Sequence, residues 1–292
     1  MAQNSIGVIG LGSMGFGMAC SLLRGGFRVI GTDLGEAKKA AAKEQGVEVV
    51  DDVATLCQQT SVVLLSLPMA KHVNAVIRGT GGILDSAQPE TLVIDTSTSE
   101  PELTRALAAD LAAKGHGMLD APVSGGPAGA MAGSMVMVVG GKQEDLQRAQ
   151  PFLEALSSKV VHLGDNGAGH VAKLINNLLC AAHLVTKAEA VALGKKAGLD
   201  PTALLEGLNA GSGRSAVSEV NFPRWILNDG FDSGFTMGLM RKDVRLAQAL
   251  MDEMGLQLPM SSLTSELWAA SVDELADPDD FNCIVKTVGQ EV

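Results

Sequence analysis

Long apolar runs are the first thing missing from this chain. No stretch of its 292 residues approaches the roughly eighteen apolar residues that a membrane span requires, and the N-terminus has no basic segment leading into a signal-peptide core. The expectation is a soluble, cytoplasmic protein with no membrane partner. Cysteine is scarce too: Cys20, Cys57, Cys180 and Cys283 are scattered without C-x-x-C spacing, and the five histidines contain no H-x-x-x-H pair. Neither a disulfide framework nor a metal site is encoded, and such thiols suit a reducing compartment. Positive charge is short, with 22 Lys and Arg against 33 Asp and Glu and a net charge of -11. That balance argues against a nucleic-acid partner, whose phosphates need clustered Lys and Arg. It leaves small anions open, since one local site can hold them inside an acidic protein.

What is present is apolar material, 46% of residues against 19% charged, enough for a sizeable core and two domains. The chain opens as strand, glycine turn and helix. Ser5-Ile6-Gly7-Val8-Ile9 leads into Gly10-Leu11-Gly12-Ser13-Met14-Gly15, and an amphipathic stretch then runs to Arg24 and stops at Gly25-Gly26. In that context G-x-G-x-x-G is a dinucleotide fingerprint, with Gly10 for the tight turn, Gly12 for close approach of a pyrophosphate and Gly15 for helix packing. The pyrophosphate would rest on the helix N-terminus, where N–H groups and dipole favour an anion. A second strand, Arg28–Thr32, ends in Asp33, whose carboxylate can accept from both hydroxyls of the adenosine ribose. The same charge repels the 2'-phosphate of NADP, and no arginine follows at Leu34 or Gly35, so NAD is expected ahead of NADP. Lys38 and Lys39 lie too far into the next helix to serve as phosphate ligands. The competing reading gives the glycines to packing and Asp33 to capping that helix.

Further strand-like runs fall at 47–50, 62–67, 92–95, 118–121, 135–139 and 160–163, most of them separated by helix-like stretches. Such alternation builds a parallel sheet covered on both faces. After Leu163 strand signals stop, and helices are expected over 168–196, 201–209, 215–228, 239–254 and 259–275. The expected fold is an α/β, Rossmann-type N-terminal domain with a mostly parallel sheet, residues 1–163, joined through a long helix to an all-α domain, residues 164–292. Gly164-Asp165-Asn166-Gly167 marks the boundary.

That long helix carries the most informative stretch. It reads Gly169-His170-Val171-Ala172-Lys173-Leu174-Ile175-Asn176-Asn177 and continues through Leu178, Leu179, Cys180, Ala181 and Ala182, apolar nearly all round and so expected to be buried. On a 3.6-residue period Lys173, Asn176, Asn177 and Cys180 form one polar stripe. An ammonium and two amides buried without partners are costly, so the stripe should face a polar cleft or a ligand. A lysine that merely snorkels to water is the competing reading.

Three loops add to it. Ser66-Leu67-Pro68-Met69 and Asp95-Thr96-Ser97-Thr98-Ser99 lie beyond the carboxyl ends of strands, where open α/β sheets bind ligands, although Ser99 before Pro101-Glu102 is equally a helix start. The run Asp120-Ala121-Pro122-Val123-Ser124-Gly125-Gly126 breaks from strand into a loop whose hydroxyl and backbone N–H groups suit a small carboxylate. Arg214, in the small-residue loop of residues 209–215, either pairs with a second polar end of a substrate or stands in solvent. Trp225 and Trp268 read as core, and His183 and Lys187 as packing or surface groups.

Taken in order and spacing, Gly10 to Gly15, Asp120 to Gly126, Gly169 to Asn177 and Lys242-Asp243 resemble the β-hydroxyacid dehydrogenases over essentially the whole chain. That family includes 3-hydroxyisobutyrate dehydrogenase, tartronate semialdehyde reductase and, more distantly, 6-phosphogluconate dehydrogenase. The resemblance implies that Gly10, Leu11, Gly12, Ser13, Met14, Gly15 and Asp33 bind the dinucleotide and that Leu67, Pro68 and Thr98 contact it. It makes Lys173 the general acid/base, Asn177 a substrate ligand, Ser124, Gly125 and Gly126 a carboxylate cradle, and Lys242 a group reaching the nicotinamide end. Asp243 is as readily the structural partner of a nearby cation. Asn176 stands where phosphogluconate dehydrogenases place a histidine, and the chain ends before their large C-terminal domain, which weighs against that substrate.

The implied reaction is hydride transfer between NAD and the alcohol or aldehyde carbon of a short β-hydroxy acid, in a homodimer or homotetramer. Candidate acids are 3-hydroxyisobutyrate, glycerate with tartronate semialdehyde, 4-hydroxybutyrate and sugar acids. The chemistry agrees independently: oxidising an alcohol leaves a proton that a lysine made less basic by burial or a neighbouring cation can accept. Two alternatives stand beside it. A non-catalytic dinucleotide-binding protein has no need of a buried amine, and an imine reductase using NADPH usually replaces the lysine.

Overall fold

The computed structural model describes residues 4–287, which divide into two compact units, one through Lys173 and one from Leu174. In the first unit nine strands form one sheet: β1 (Ser5–Ile9), β2 (Arg28–Thr32), β3 (Glu48–Val49), β4 (Val62–Leu65), β5 (Leu92–Asp95), β6 (Gly117–Asp120), β7 (Val123–Ser124), β8 (Met135–Gly140) and β9 (Ser157–Gly164). Their order is β3-β2-β1-β4-β5-β6-β8-β7, with β9 beside β8. Pairs from β3 across to β6 are parallel, and β8 is antiparallel to β6 and β7. The chain winds one way from β1 and the other way from β4, so a crevice opens beyond the carboxyl ends of these two neighbours.

The helices between the strands are α1 (Ser13–Arg24), α2 (Glu36–Glu44), α3 (Val53–Cys57), α4 (Ala70–Arg78), α5 (Ile83–Ser86), α6 (Pro101–Ala113), α7 (Gly126–Ala132) and α8 (Gln143–Leu156). Strand alternation sorts the core into two layers. Ile6, Val8, Val62, Leu64, Leu92 and Ile94 pack on one face with Met18, Leu22 and Phe152. Ile9, Val63, Leu65 and Val93 pack on the other with Leu56, Ile77, Leu107 and Leu111. Every residue of β4 and β5 is buried, which is why these strands are apolar runs and not half-polar alternations.

Helix α9 (Ala168–Lys196) starts in the first unit and runs into the second, where α10 (Pro201–Ala210), a π-helical segment Val217–Ile226, α11 (Met237–Glu253) and α12 (Pro259–Ala270) follow. Local chemistry starts two of them: Asp200 accepts the Ala203 N–H ahead of Pro201, and Thr236 accepts the Leu239 N–H. Ala181, Leu184, Ala188, Phe222, Met240, Val244 and Trp268 form the core of this unit. Trp268 is fully buried as expected, whereas Trp225 is half-buried beneath the Arg224 guanidinium.

The structure departs from expectation at several points. The run that ends at Gly126, read as breaking into a loop, instead forms β7 and the start of α7; Ser124 pairs with Val136, and the Ser21 hydroxyl donates to Ala130 O at 2.8 Å to tie α1 to α7. The segment at 215–228 winds wide around Pro223, which has no N–H for an α-helical bond, and the Leu227 N–H reaches Phe222 O. A 3-10 turn, Ser271–Asp273, ends α12 early. The 29 residues of α9 span about 43 Å at the usual rise, yet the helix is not buried all round: Ile175, Leu179 and Leu193 are 50%, 53% and 72% exposed. Among the described residues no helix is long and apolar enough to cross a membrane.

Candidate active site

The glycine turn occupies the crevice between β1 and β4. Gly10 has φ +94°, and a Cβ there would stand 2.3 Å from Ser66 O; a Cβ on Gly15 would stand 1.8 Å from Gly10 O. The first glycine makes the turn and the third lets α1 close onto it. Around Gly12 the demand is opposite, since a Cβ there would meet nothing within 4 Å. Gly12 is the N-cap of α1 and gives the first turn no side-chain hydrogen bond, so the N–H groups of Ser13, Met14 and Gly15 have no partner within the helix, next to the open space at Gly12. A pyrophosphate fits that gap.

Asp33 follows β2 and accepts the Leu11 N–H on Oδ2 and the Gly35 N–H on Oδ1, both at 2.8 Å. Lys38 Nζ lies 3.4 Å from Oδ1, so this lysine is held at the carboxylate. Burial pushes the Asp33 carboxyl up, but the Gly35 and Leu11 N–H groups and the Lys38 ammonium outweigh it and hold the group below its ordinary value. The ionised carboxylate keeps acceptor positions for ribose hydroxyls. The β4 and β5 loops meet each other: the Leu67 N–H donates to Ser97 Oγ at 3.0 Å, with Thr98 half-buried and Pro68 exposed.

The cradle and the lysine belong to the same unit. Gly125 and Gly126 have φ +129° and +63°, which a side chain would strain. Ser124, fixed on β7, has its hydroxyl oxygen 3.4 Å from Lys173 Nζ, and Lys173 is half-buried.

The anchoring of the start of α9 has no local mark in the sequence. Asp120, fully buried at the end of β6, accepts the Gly167 N–H on Oδ1 at 2.8 Å and the His170 N–H on Oδ2 at 3.0 Å. It is a cap for α9 supplied from 47 residues away. His170 is fully buried as well; its Nδ1 lies 2.8 Å from Thr104 Oγ1 and its Nε2 2.8 Å from Ser97 O. Asp95 lies beneath, accepting the Ser97 N–H at 3.0 Å. Burial pushes its carboxyl above the ordinary value, with the His170 charge and the Ser97 bonds pulling back. The only signal for Asp120 was an acid closing an apolar strand.

In the second unit the structure brings together Asn177, Lys242 and Asp243. The Asn177 Nδ2 donates to Asp243 Oδ2 at 2.6 Å, and Lys242 Nζ lies 3.2 Å from Asp243 Oδ1. Asp243 and Asn177 are buried, while Asn176, placed in the same stripe by periodicity, is exposed and donates to Asn177 Oδ1. Arg214 is exposed, its Nε 3.7 Å from Glu219. Its loop is held from below by Lys187, which is buried and donates to Gly213 O at 2.7 Å; burial lowers the basicity of that amine. Among the described residues no group of three or more His, Cys, Asp or Glu side chains is placed to hold a metal ion.

Two family patterns match this chain. One, described as the NAD binding domain of 6-phosphogluconate dehydrogenase, covers residues 5–164, and one described as NAD-binding of NADP-dependent 3-hydroxyisobutyrate dehydrogenase covers residues 167–288. The chain is 39% identical over 292 residues to 3-hydroxyisobutyrate dehydrogenase of Pseudomonas aeruginosa, across 97% of this chain and 98% of that one. It is 35% identical over 291 residues to NAD-dependent L-serine dehydrogenase of the same organism, across 97% of each. Among solved structures, 3-hydroxyisobutyrate dehydrogenase of Mycobacterium tuberculosis with L-serine superimposes with a TM-score of 0.90 at 32% identity, covering 98% of this chain and 99% of that one. With a dinucleotide turn, an acid at the end of β2 and these relatives along its whole length, the chain belongs to the β-hydroxyacid dehydrogenase family and is an NAD-dependent oxidoreductase.

Proposed function

We propose that this enzyme interconverts a short β-hydroxy acid and its semialdehyde, with Lys173 as general acid/base. The observation that carries the reading is the 3.4 Å approach of Lys173 Nζ to Ser124 Oγ, which sets an amine beside a hydroxyl at the head of the Gly125-Gly126 turn. NAD, held by the turn from Gly10 to Gly15 and by Asp33, with Leu67, Pro68 and Thr98 along it and Lys242 toward the nicotinamide, supplies the hydride acceptor. Ser124 and the N–H groups of Gly125 and Gly126 hold the substrate carboxylate. Lys173 takes the hydroxyl proton as the carbon is oxidised, and returns it in the reverse direction. Asn177, its amide oriented by Asp243, donates its second amide hydrogen to the substrate and so orients the reacting carbon. Arg214 meets a second polar end when the substrate has one.

Lys173→Ala tests the mechanism. NAD affinity stays nearly intact while turnover falls by roughly a hundred to ten-thousand fold, the usual span for a lost acid/base; unchanged turnover would refute it. A panel of 3-hydroxyisobutyrate, glycerate, 4-hydroxybutyrate, sugar acids, sulfonated analogues and L-serine, followed by absorbance of reduced nicotinamide with NAD and NADP, identifies the acid. We place the enzyme in the cytoplasm as a homodimer or homotetramer, with the exposed Ile175, Leu179 and Leu193 of α9 supporting contact between subunits.

A further inference from the structure

His170 is a polar ring with no exposed surface, and the mechanism above does not use it. It lies three residues before Lys173, on the same side of the first turns of α9. Its Nε2 is 2.8 Å from Ser97 O, and a carbonyl oxygen can only accept, so Nε2 carries a hydrogen. Its Nδ1 is 2.8 Å from the Thr104 hydroxyl, which also lies 3.1 Å from Glu100 O. That hydroxyl has one proton. If it points to Nδ1 the ring is neutral, and if it points to Glu100 O the ring is an imidazolium; in both arrangements the bond to Ser97 survives.

Ser97 precedes Thr98 and accepts the Leu67 N–H on its own hydroxyl oxygen at 3.0 Å. The backbone N–H of His170 is meanwhile bound to Asp120 at 3.0 Å. One imidazole therefore links the β4 and β5 loops to the helical turn that precedes Lys173. A ring present only to fill space would leave two buried nitrogens to be satisfied at a cost, and an aliphatic side chain would fill the space without it.

We propose that His170 is a positioning residue that holds the loops carrying Leu67 and Thr98 in register with the Lys173 amine, and so acts on turnover through Lys173. This rests on the acid/base reading of Lys173. The test is a double-mutant cycle: His170→Leu and Lys173→Ala, singly and together, with NAD affinity read from tryptophan fluorescence and kcat and KM from nicotinamide absorbance. Expected is a fall in kcat of about 10- to 100-fold in His170→Leu, the span for a displaced catalytic group, with KM for the acid within about threefold. In the Lys173→Ala background the same substitution costs nothing further, since the group it positions is gone. His170→Gln recovers most of the rate, its amide N–H donating to Ser97 O and its oxygen accepting from Thr104.

Equal losses in the two backgrounds would make His170 purely structural and leave the role of Lys173 standing. Full turnover in Lys173→Ala alone would remove the acid/base reading and this role with it. If His170→Leu does not fold, Thr104→Val carries the same cycle, with an expected loss of about three- to tenfold that disappears without Lys173.

Discussion

Replacing Asp120 by Asn tests the anchoring of the catalytic helix with almost no change in volume. The carboxylate receives two N–H groups at 2.8 and 3.0 Å, one from Gly167 just ahead of α9 and one from His170 in its first turn. A hydrogen bond to a charged acceptor contributes about 1.5–3 kcal/mol, and a negative charge at a helix N-terminus adds roughly 0.3–2 kcal/mol. The amide keeps one acceptor oxygen and turns an NH2 group toward the other N–H, so one bond is lost, two donors face each other and the charge on the dipole disappears. Relief from burying a carboxylate offsets part of this, leaving a loss of about 2–4 kcal/mol.

The site cannot relax easily. A Cβ on Gly169 would lie 3.0 Å from Asp120 Oδ2, and one on Gly140 would lie 2.7 Å from Asp120 Oδ1, so backbone walls the side chain on both sides. At 2–4 °C per kcal/mol for a unit of this size, the melting temperature drops by roughly 4–16 °C, read by circular dichroism at 222 nm. Because Lys173 lies one turn further on, kcat falls with it, by about tenfold or more. A variant melting within about 1 °C of wild type with unchanged kcat would refute the idea that Asp120 anchors this helix.

Other consequences follow from single groups. Asp33→Ala removes the carboxylate that repels a 2'-phosphate and releases Lys38 from it, so the NAD-over-NADP ratio of kcat/KM narrows by about tenfold; a wild type that prefers NADP would overturn the ribose assignment. Burial holds the Asp95 carboxyl above its ordinary 3.8, so the folded state binds that proton more tightly than the unfolded chain does, and stability is lost as pH rises from 3.8 through the folded-state value. The melting temperature of Asp95→Asn relative to wild type therefore climbs with pH above 3.8 and is level below it; a difference independent of pH would refute this. Light scattering at micromolar concentration gives the mass of a dimer or tetramer, and a fully active monomer would rule out the subunit contact proposed for α9.

Most of the sheet is legible in the sequence because its strands are buried on both faces. Val62-Val63-Leu64-Leu65 and Leu92-Val93-Ile94 leave no other place for themselves, and glycine turns punctuate them. β7 is not legible, since two residues have no periodicity and Ser124 becomes a strand only because β8 offers Val136 as a partner. The wide winding of Val217–Ile226 is equally hidden: Pro223 warns of a lost bond, but whether a helix then kinks, stops or widens depends on what Phe222 and Ile226 pack against.

The same division runs through the candidate site. The glycine turn can be read locally because two of the demands on it, the φ of Gly10 and the closeness of Gly15 to Gly10 O, arise within six residues. Asp120 and His170 answer partners 47 to 73 residues away, and nothing in their own neighbourhoods marks them. Periodicity on α9 groups Lys173, Asn176 and Asn177 into one stripe, yet Asn176 is exposed and Asn177 buried. A 100° step per residue separates neighbours enough for one amide to reach Asp243 and the other to meet water. Lys187 makes the point from the other side: its neighbours on α9 suggest only packing or surface, and the Gly213 carbonyl that holds its ammonium comes from the next loop but one. A buried polar group has its partner chosen by the fold, so its role becomes readable only when the distant acceptor is known, whereas a glycine's role is often written in the few residues around it.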